Sequence, residues 1–253
     1  MNIGGSPGRP ASRSRGGLDL LGRWARYLAA HPRGAGAAAE VWLWLRTTFL
    51  GRDLLGAGLP WITFPAMRWL RAHLRPSMSV FEWGSGGSTV FLARRAGHVV
   101  SIEYDQTWCR AVEARLRETG LQNVRLRYVP PEPGEDEPLY RSSDLNFAGL
   151  SFRRYVESVL EFPDASFDVI LVDGRARRGC VVAALPKLKP DGVLVLDNSD
   201  RADTAEACAL LSGPEWVARH FPGPGPQSRW PVFWRTTVFR RAAEAGAAGE
   251  PSS

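Results

Sequence analysis

The sequence predicts an α/β fold: a doubly wound sheet preceded by a helical extension. Three observations lead there. The apolar runs at 168–173 (DVILVD) and 193–197 (VLVLD) are continuous and end in acids, which suits strands covered on both faces by helices. Strand-like and helix-like patterns alternate from residue 65 to residue 197, as βαβ units require. A glycine-rich turn, Gly84-Ser85-Gly86-Gly87-Ser88, directly follows the apolar run 78–83, and glycine lets a backbone turn sharply or approach a ligand closely.

The elements follow in order. Residues 1–17, rich in Gly, Ser, Pro and Arg, read as a disordered basic tail, and residues 241–253 as a second loose tail. Residues 18–60 form a Trp-rich helical extension. Leu20, Leu21, Trp24, Tyr27 and Leu28 recur at helical spacing, and Pro32 and Gly34 then break the pattern. A second helix over 37–50 would turn Val41, Trp42, Leu45 and Phe49 inward and leave Trp44 off the stripe. These helices are expected to pack on the main domain at 61–240, because an apolar stripe is usually core. The alternative use of 18–60 is a peripheral contact with a membrane or a partner protein. Within the main domain, 65–74 reads as a helix, 78–83 and 98–103 as strands, 106–119 as a helix with Trp108, Val112 and Leu116 inward, and 124–129 as a third strand. The segment 130–167 is long for a connection and is expected to lie over the active edge as a substrate lid, with Asp144 and Tyr155 as contacts. Lys189-Pro190-Asp191-Gly192 reads as a tight turn feeding the strand at 193–197. Glu215–Phe221 and Val232–Arg240 read as two strands, and no helix fits between them, so they should pair antiparallel.

Composition narrows the function classes. The chain has 253 residues with a formal net charge of +6. Eight arginines against three acids fall in residues 1–60, whereas 24 bases and 23 acids share the rest, so the body offers no general nucleic-acid surface. Cys109, Cys180 and Cys208 lie far apart and form no C-x-x-C pair. They support a reduced, cytoplasmic compartment rather than a disulfide framework. No apolar run reaches the length of a membrane span, and the four histidines form no cluster. The oligomeric state is left open.

The chemistry is concentrated where strands end. In Glu82-Trp83-Gly84-Ser85-Gly86-Gly87-Ser88 an acid closes a strand and glycines open a helix. In doubly wound folds, ligands bind at this carboxyl edge. A carboxylate at Glu82 would repel a pyrophosphate but suits a cationic ligand, directly or through water. Glu103 ends the next strand 21 residues later, the spacing at which an acid binds both ribose hydroxyls. Together these describe a site for an adenosine that carries a positive group.

On these residues the chain resembles the class I S-adenosylmethionine-dependent methyltransferases over roughly residues 60–240. Glu82, Gly84 and Gly86 match the family's first motif, with Ser88 where many members have a third glycine, and Glu103 matches the second. The resemblance implies a seven-stranded Rossmann-like sheet whose last strand is antiparallel and inserted between the fifth and sixth. It also implies S-adenosylmethionine as cofactor, contacted by Glu82, Gly84, Ser85, Gly86, Glu103 and Tyr104, and methylation of a hydroxyl on a small molecule, sugar or lipid-type acceptor. The rival readings are a methyltransferase-fold scaffold without catalysis and a nicotinamide-dependent oxidoreductase; the latter is disfavoured because the loop lacks G-x-G-x-x-G spacing.

Asp173, and Asp197 followed by Asn198, are similar to the Mg²⁺-binding set of catechol-type O-methyltransferases. This would make Asp173, Asp197 and Asn198 metal ligands that activate an acceptor hydroxyl. The lysine base of that group is missing: Gly174, Arg175, Ala176, Arg177 and Arg178 follow Asp173. Two alternatives stay open. Asp173 or Asp197 could act as the catalytic base, and Arg175 and Arg177 could bind an anionic substrate. Arg175, Tyr155 and Asn198 are the candidate substrate contacts.

Overall fold

A computed structural model describes residues 13–30, 35–49, 53–134, 137–226 and 233–242. Of the tails expected at 1–17 and 241–253, residues 1–12 and 243–253 lie outside the described residues, as do part of the acidic run (135–136) and half of the loop expected at 222–231 (227–231). Helices α1 (Arg13–Ala30), α2 (Ala35–Phe49), α3 (Leu54–Ala57) and α4 (Phe64–His73) lead into strand β1 (Ser79–Trp83). There follow α5 (Gly87–Ala93), β2 (His98–Glu103), α6 (Gln106–Glu118) and β3 (Val124–Tyr128). A connection holding a two-residue strand pair and α7 (Arg153–Glu157) then reaches β4 (Phe167–Val172). The chain closes with α8 (Arg177–Ala184), β5 (Leu188–Leu196), α9 (Ala205–Ala209), β6 (Trp216–Pro224) and β7 (Phe233–Arg241).

The seven strands form one sheet in the order β3-β2-β1-β4-β5-β7-β6. β7 runs antiparallel to both of its neighbours, and the first five strands are parallel. The sheet therefore has the expected seven-stranded order, with the last strand inserted between β5 and β6. Strand alternation divides the buried residues into two layers. Phe81, Trp83, Ile102, Ile170, Val172, Leu194 and Leu196 pack toward α7, α8 and α9. Val80, Val99, Val169, Leu171, Val193 and Val195 pack toward α4 and α5.

Several local expectations change. Lys189-Pro190-Asp191-Gly192 lies inside β5, not before it: Phe167 pairs with Leu188 and Val169 with Val193. The turn residues form an extended bulge, held by Lys189 Nζ on Asp168 Oδ2 at 2.9 Å. α1 begins at Arg13, inside the stretch expected to be disordered; extending a nucleated helix by a turn needs no new nucleus.

The larger correction concerns α2. Trp44, expected off the stripe, is 8% exposed, whereas Trp42 is 57% and Phe49 61% exposed. Because apolar residues occur on nearly all sides of this helix, their spacing does not specify one inward face. Trp44 instead joins Trp24, Tyr27 and Phe64 in a small aromatic core. Trp24 meets the Phe233 ring at 5.0 Å and the Trp44 ring at 5.4 Å, so α1 and α2 dock on α4 and on the start of β7. Tyr27 and Arg68 both engage the buried Glu40 carboxylate. Among the described residues, no helix is long and apolar enough to cross a membrane.

Candidate active site

At the carboxyl edge of the parallel strands a cavity of about 670 Å³ opens. The glycine loop forms its floor. Gly84 has φ +94°, and a Cβ there would lie 2.9 Å from the Asp173 carbonyl oxygen, so only glycine fits this turn. A Cβ on Gly87 would collide with the carbonyl oxygens of Leu54 and Leu59. The wall above Gly87 is therefore α3 and its following turn, set by Asp53, whose carboxylate caps Leu55 N at 3.0 Å and Gly56 N at 2.9 Å. Asp53, Leu54 and Leu59 line the cavity from the segment read in the sequence as the end of the extension, and Trp61 from the first residue of the main domain.

Glu103 is fixed at the centre of the loop. Its Oε2 accepts from Ser85 N (3.0 Å) and Ser85 Oγ (2.8 Å), and its Oε1 accepts from Tyr104 N (2.8 Å) and Asp105 N (2.9 Å). Burial raises its pKa against the opposing effect of these hydrogen bonds. All four carboxylate lone-pair positions are filled by protein donors. The rotatable Ser85 hydroxyl is the one donor that can leave without moving the backbone. Gly84, Ser85, Gly86, Glu103 and Tyr104 all line the cavity.

Glu82 does not. It is fully buried and faces the α5 side of the sheet, because Trp83 and Glu82 alternate across it. Glu82 pairs in register with Ser101. Its Oε2 accepts from Ser101 Oγ at 2.7 Å and Thr89 Oγ1 at 2.6 Å, and Thr89 Oγ1 in turn accepts from Gly86 N at 2.9 Å. Glu82 thus ties the glycine loop to the sheet from below rather than meeting a ligand directly. Desolvation pushes its pKa up to about 7, against hydrogen bonds from Ser88, Thr89 and Ser101.

The far end of the cavity holds Asp173, Asp197 and Asn198, but as the partners of a guanidinium. Arg177 Nη2 donates to Asp173 Oδ1 at 3.1 Å, and Nη1 donates to Asn198 Oδ1 and the Asp197 carbonyl at 3.0 Å each. Asp197 Oδ1 accepts from Trp234 Nε1 at 2.9 Å and from Thr236. The donor set expected to hold Mg²⁺ therefore already encloses a fixed cation and does not fit a hydrated divalent ion. Among the described residues, no group of three or more His, Cys, Asp or Glu side chains could hold a metal. Burial raises the pKa of both acids. The neighbouring Asp197 raises Asp173 further, while Arg177 lowers each.

The expected substrate residues separate. Asn198 lines the cavity with φ +52°, a conformation asparagine tolerates. Arg175 also lines it, with its charge paired to Asp144 at 3.0 Å and its Nε donating to the Tyr104 hydroxyl at 3.2 Å. Tyr155 is fully buried and does not line the cavity; its hydroxyl packs against Gly174 from below. The aromatic spacing that suggested a lid contact is a core contact, made with Tyr104 and Phe152. Among the described residues of 130–167, none lines the large cavity.

Spacing alone missed Trp61, Trp108, Arg201 and Trp234 as lining residues. Trp108 was read as an inward stripe position. Its place in the first turn of α6, directly after the strand-end Glu103, was the available signal for a site residue. Its indole Nε1 donates to the Ser85 carbonyl at 2.8 Å.

No protein-family model matches the chain, and no curated protein matches it significantly. Solved structures do. An O-methyltransferase from Streptomyces achromogenes, TomG, involved in tomaymycin synthesis and solved with S-adenosylmethionine, matches with a TM-score of 0.55 at 18% identity, over 76% of this chain and 91% of its own. An rRNA methylase from Streptococcus thermophilus matches with a TM-score of 0.51 at 13% identity, over 71% of this chain and 97% of its own. At such identities the likeness is one of architecture, and this chain has the fold of the class I S-adenosylmethionine-dependent methyltransferases.

Proposed function

We propose that this chain is an S-adenosylmethionine-dependent methyltransferase acting on a hydroxyl of a small molecule, including sugar- and lipid-type hydroxyls. One observation carries the reading. A single cavity joins a glycine floor and the buried Glu103 carboxylate at one end to two strand-end acids at the other, the buried Asp197 and the half-buried Asp173. When bound, the cofactor supplies an electrophilic methyl group on a sulfonium. Gly84 and Gly86 would accept its amino-acid portion and Glu103 its ribose, after the Ser85 hydroxyl rotates away. Trp108 and Trp61 would give the base apolar walls.

At the acceptor end, Asp197 is the better-placed base. Trp234 and Thr236 fix one of its oxygens, and its raised pKa strengthens it as a proton acceptor. Arg177 holds Asp173, Asn198 and the Asp197 backbone together, so the acceptor meets a fixed geometry. The near-neutral balance of residues 61–253 supports a small-molecule acceptor rather than nucleic acid. The three free cysteines suit a reducing, cytoplasmic setting.

Calorimetry with S-adenosylmethionine and its demethylated product tests the cofactor. Binding should be saturable. Glu103→Ala should weaken it at least tenfold, since a hydrogen bond to a charged group contributes about 1.5–3 kcal/mol. Ser85→Ala should leave affinity within a few-fold of wild type, because its hydroxyl competes with the ribose. Unchanged affinity in Glu103→Ala would sink the assignment. Cofactor binding without methyl release from any acceptor would favour a scaffold role instead.

A further inference from the structure

Beside the acceptor end lies a second recess of about 340 Å³, which shares Gly174, Arg175, Arg177 and Arg201 with the main cavity. Its lining holds five arginines, Arg141, Arg175, Arg177, Arg178 and Arg201, against two acids, Asp203 and Glu206. Four of these cations are committed, Arg141 among them. Arg177 is bound by Asp173 and Asn198, Arg175 by Asp144, and Arg178 by Glu206 at 2.6 Å. Arg201 has no acceptor for its guanidinium among the described residues, although it stands where the two cavities join. The outer wall is Pro138, Arg141, Ser142 and Ser143. The long 130–167 connection therefore covers this recess and leaves the cofactor end open.

We propose that the recess is an anion subsite: the methyl acceptor carries a phosphate or carboxylate group that Arg201 anchors there, with its hydroxyl directed toward Asp197. The proposal rests on the methyltransferase reading and names its substrate class. A guanidinium presents a planar fork of donors that matches an oxyanion. The Ser142 hydroxyl on the facing wall is a further donor, since its oxygen accepts from Asp144 N at 3.2 Å. The acids beside the recess offset this field only in part. Asp173 is ion-paired to Arg177 and Glu206 to Arg178, and Asp203 keeps its charge while it accepts the Ser143 hydroxyl. An anion in the recess thus meets the Arg201 guanidinium, which has no ion-pair partner among the described residues, and the remainder of the acceptor reaches into the larger cavity.

The test uses the full-length protein with inorganic phosphate and, separately, acetate, titrated at constant ionic strength set by chloride. Thermal shift and calorimetry are run with and without the demethylated cofactor. Saturable phosphate or acetate binding that Arg201→Gln weakens at least tenfold supports the subsite, and the stronger probe identifies the acceptor's anion. Arg201→Lys should retain part of the binding. Arg201 is exposed, so its variants should melt as wild type does without anion. Absence of saturable binding by both probes, or equal binding in Arg201→Gln, overturns the proposal. Should the cofactor bind while both anions fail, the methyltransferase reading survives alone. If neither cofactor binds, that reading fails, and the anion titration still decides the recess.

Discussion

At the residue scale, the sequence identified the acids but not their duties. Glu82 and Glu103 both stand at strand ends, and both were assigned to the ligand. A one-residue difference in phase separates them. Glu103 is the last residue of β2 and lines the cavity, whereas Glu82 precedes the last residue of β1 and points beneath α5. The Mg²⁺ expectation failed for a similar reason. Asp173, Asp197 and Asn198 were legible as converging oxygens, but Arg177, four residues beyond Asp173, supplies the cation they enclose. Spacing alone cannot show where a long flexible side chain ends. The buried Glu82 gives a prediction with a definite sign. Its folded pKa is about 7 against an ordinary 4.5, so the native state holds this proton more tightly than the unfolded chain. Its contribution to stability is full below about pH 4.5 and is lost as pH rises through about 7. A shift of this size corresponds to on the order of 3 kcal/mol. Glu82→Gln keeps an acceptor for Thr89 and Ser101 but does not ionise. Urea denaturation at pH 5 and pH 8 should show a smaller difference in Glu82→Gln than in wild type. Equal pH dependence in the two proteins would show that Glu82 is not the group responsible.

At the scale of elements, pattern was reliable where an element is covered on defined faces. The parallel strands β1, β2, β4 and β5, buried on both sides, the half-exposed edge strand β3 and the antiparallel C-terminal pair were readable because apolar patterns and punctuation agree. The inward face of α2 was not readable, since a helix apolar on most sides packs by whichever face its neighbours accept. The turn at Lys189–Gly192 was recognised as a turn, but its placement inside β5 depends on pairing with β4, a long-range fact. α3 had no periodicity to show, being four residues long, yet it forms a wall of the main cavity. Gly87 tests that contact. Gly87→Ala would place a Cβ against two backbone oxygens, of Leu54 and Leu59, which cannot rotate aside. Overpacking of this kind costs about 1–3 kcal/mol, more than the ~0.5–1 kcal/mol that alanine gains over glycine in a helix. The variant should lose stability and bind S-adenosylmethionine several-fold more weakly. Gly22→Ala in α1 has room for its Cβ, with Arg26 Nη1 at 3.5 Å, and should be neutral or slightly stabilising. Thermal melts and calorimetry on the pair decide it. If Gly87→Ala behaves like Gly22→Ala, α3 does not press on the glycine loop.

At the scale of the molecule, the question is whether the extension and the sheet unfold together. The aromatic core of Trp24, Tyr27, Trp44 and Phe64 is separate from the two layers that flank the sheet. It joins them through α4 and through Phe233 at the start of β7. Truncating a buried tryptophan to alanine costs about 3–5 kcal/mol when the whole fold must bear the cavity. An extension docked through a few rings has a cheaper response, because it can open locally while the sheet stays intact, and the loss is then limited to the docking free energy. Trp24→Ala should therefore raise amide exchange across α1 and α2 by at least tenfold and leave β1, β4 and β5 protected as in wild type. Cofactor affinity should change little, since Asp53 keeps α3 capped and α3 keeps its contact with Gly87. Faster exchange in β1, β4 and β5 to the same degree as in α1 would instead mean one cooperative unit, with the arginine-rich extension built into the stability of the active edge.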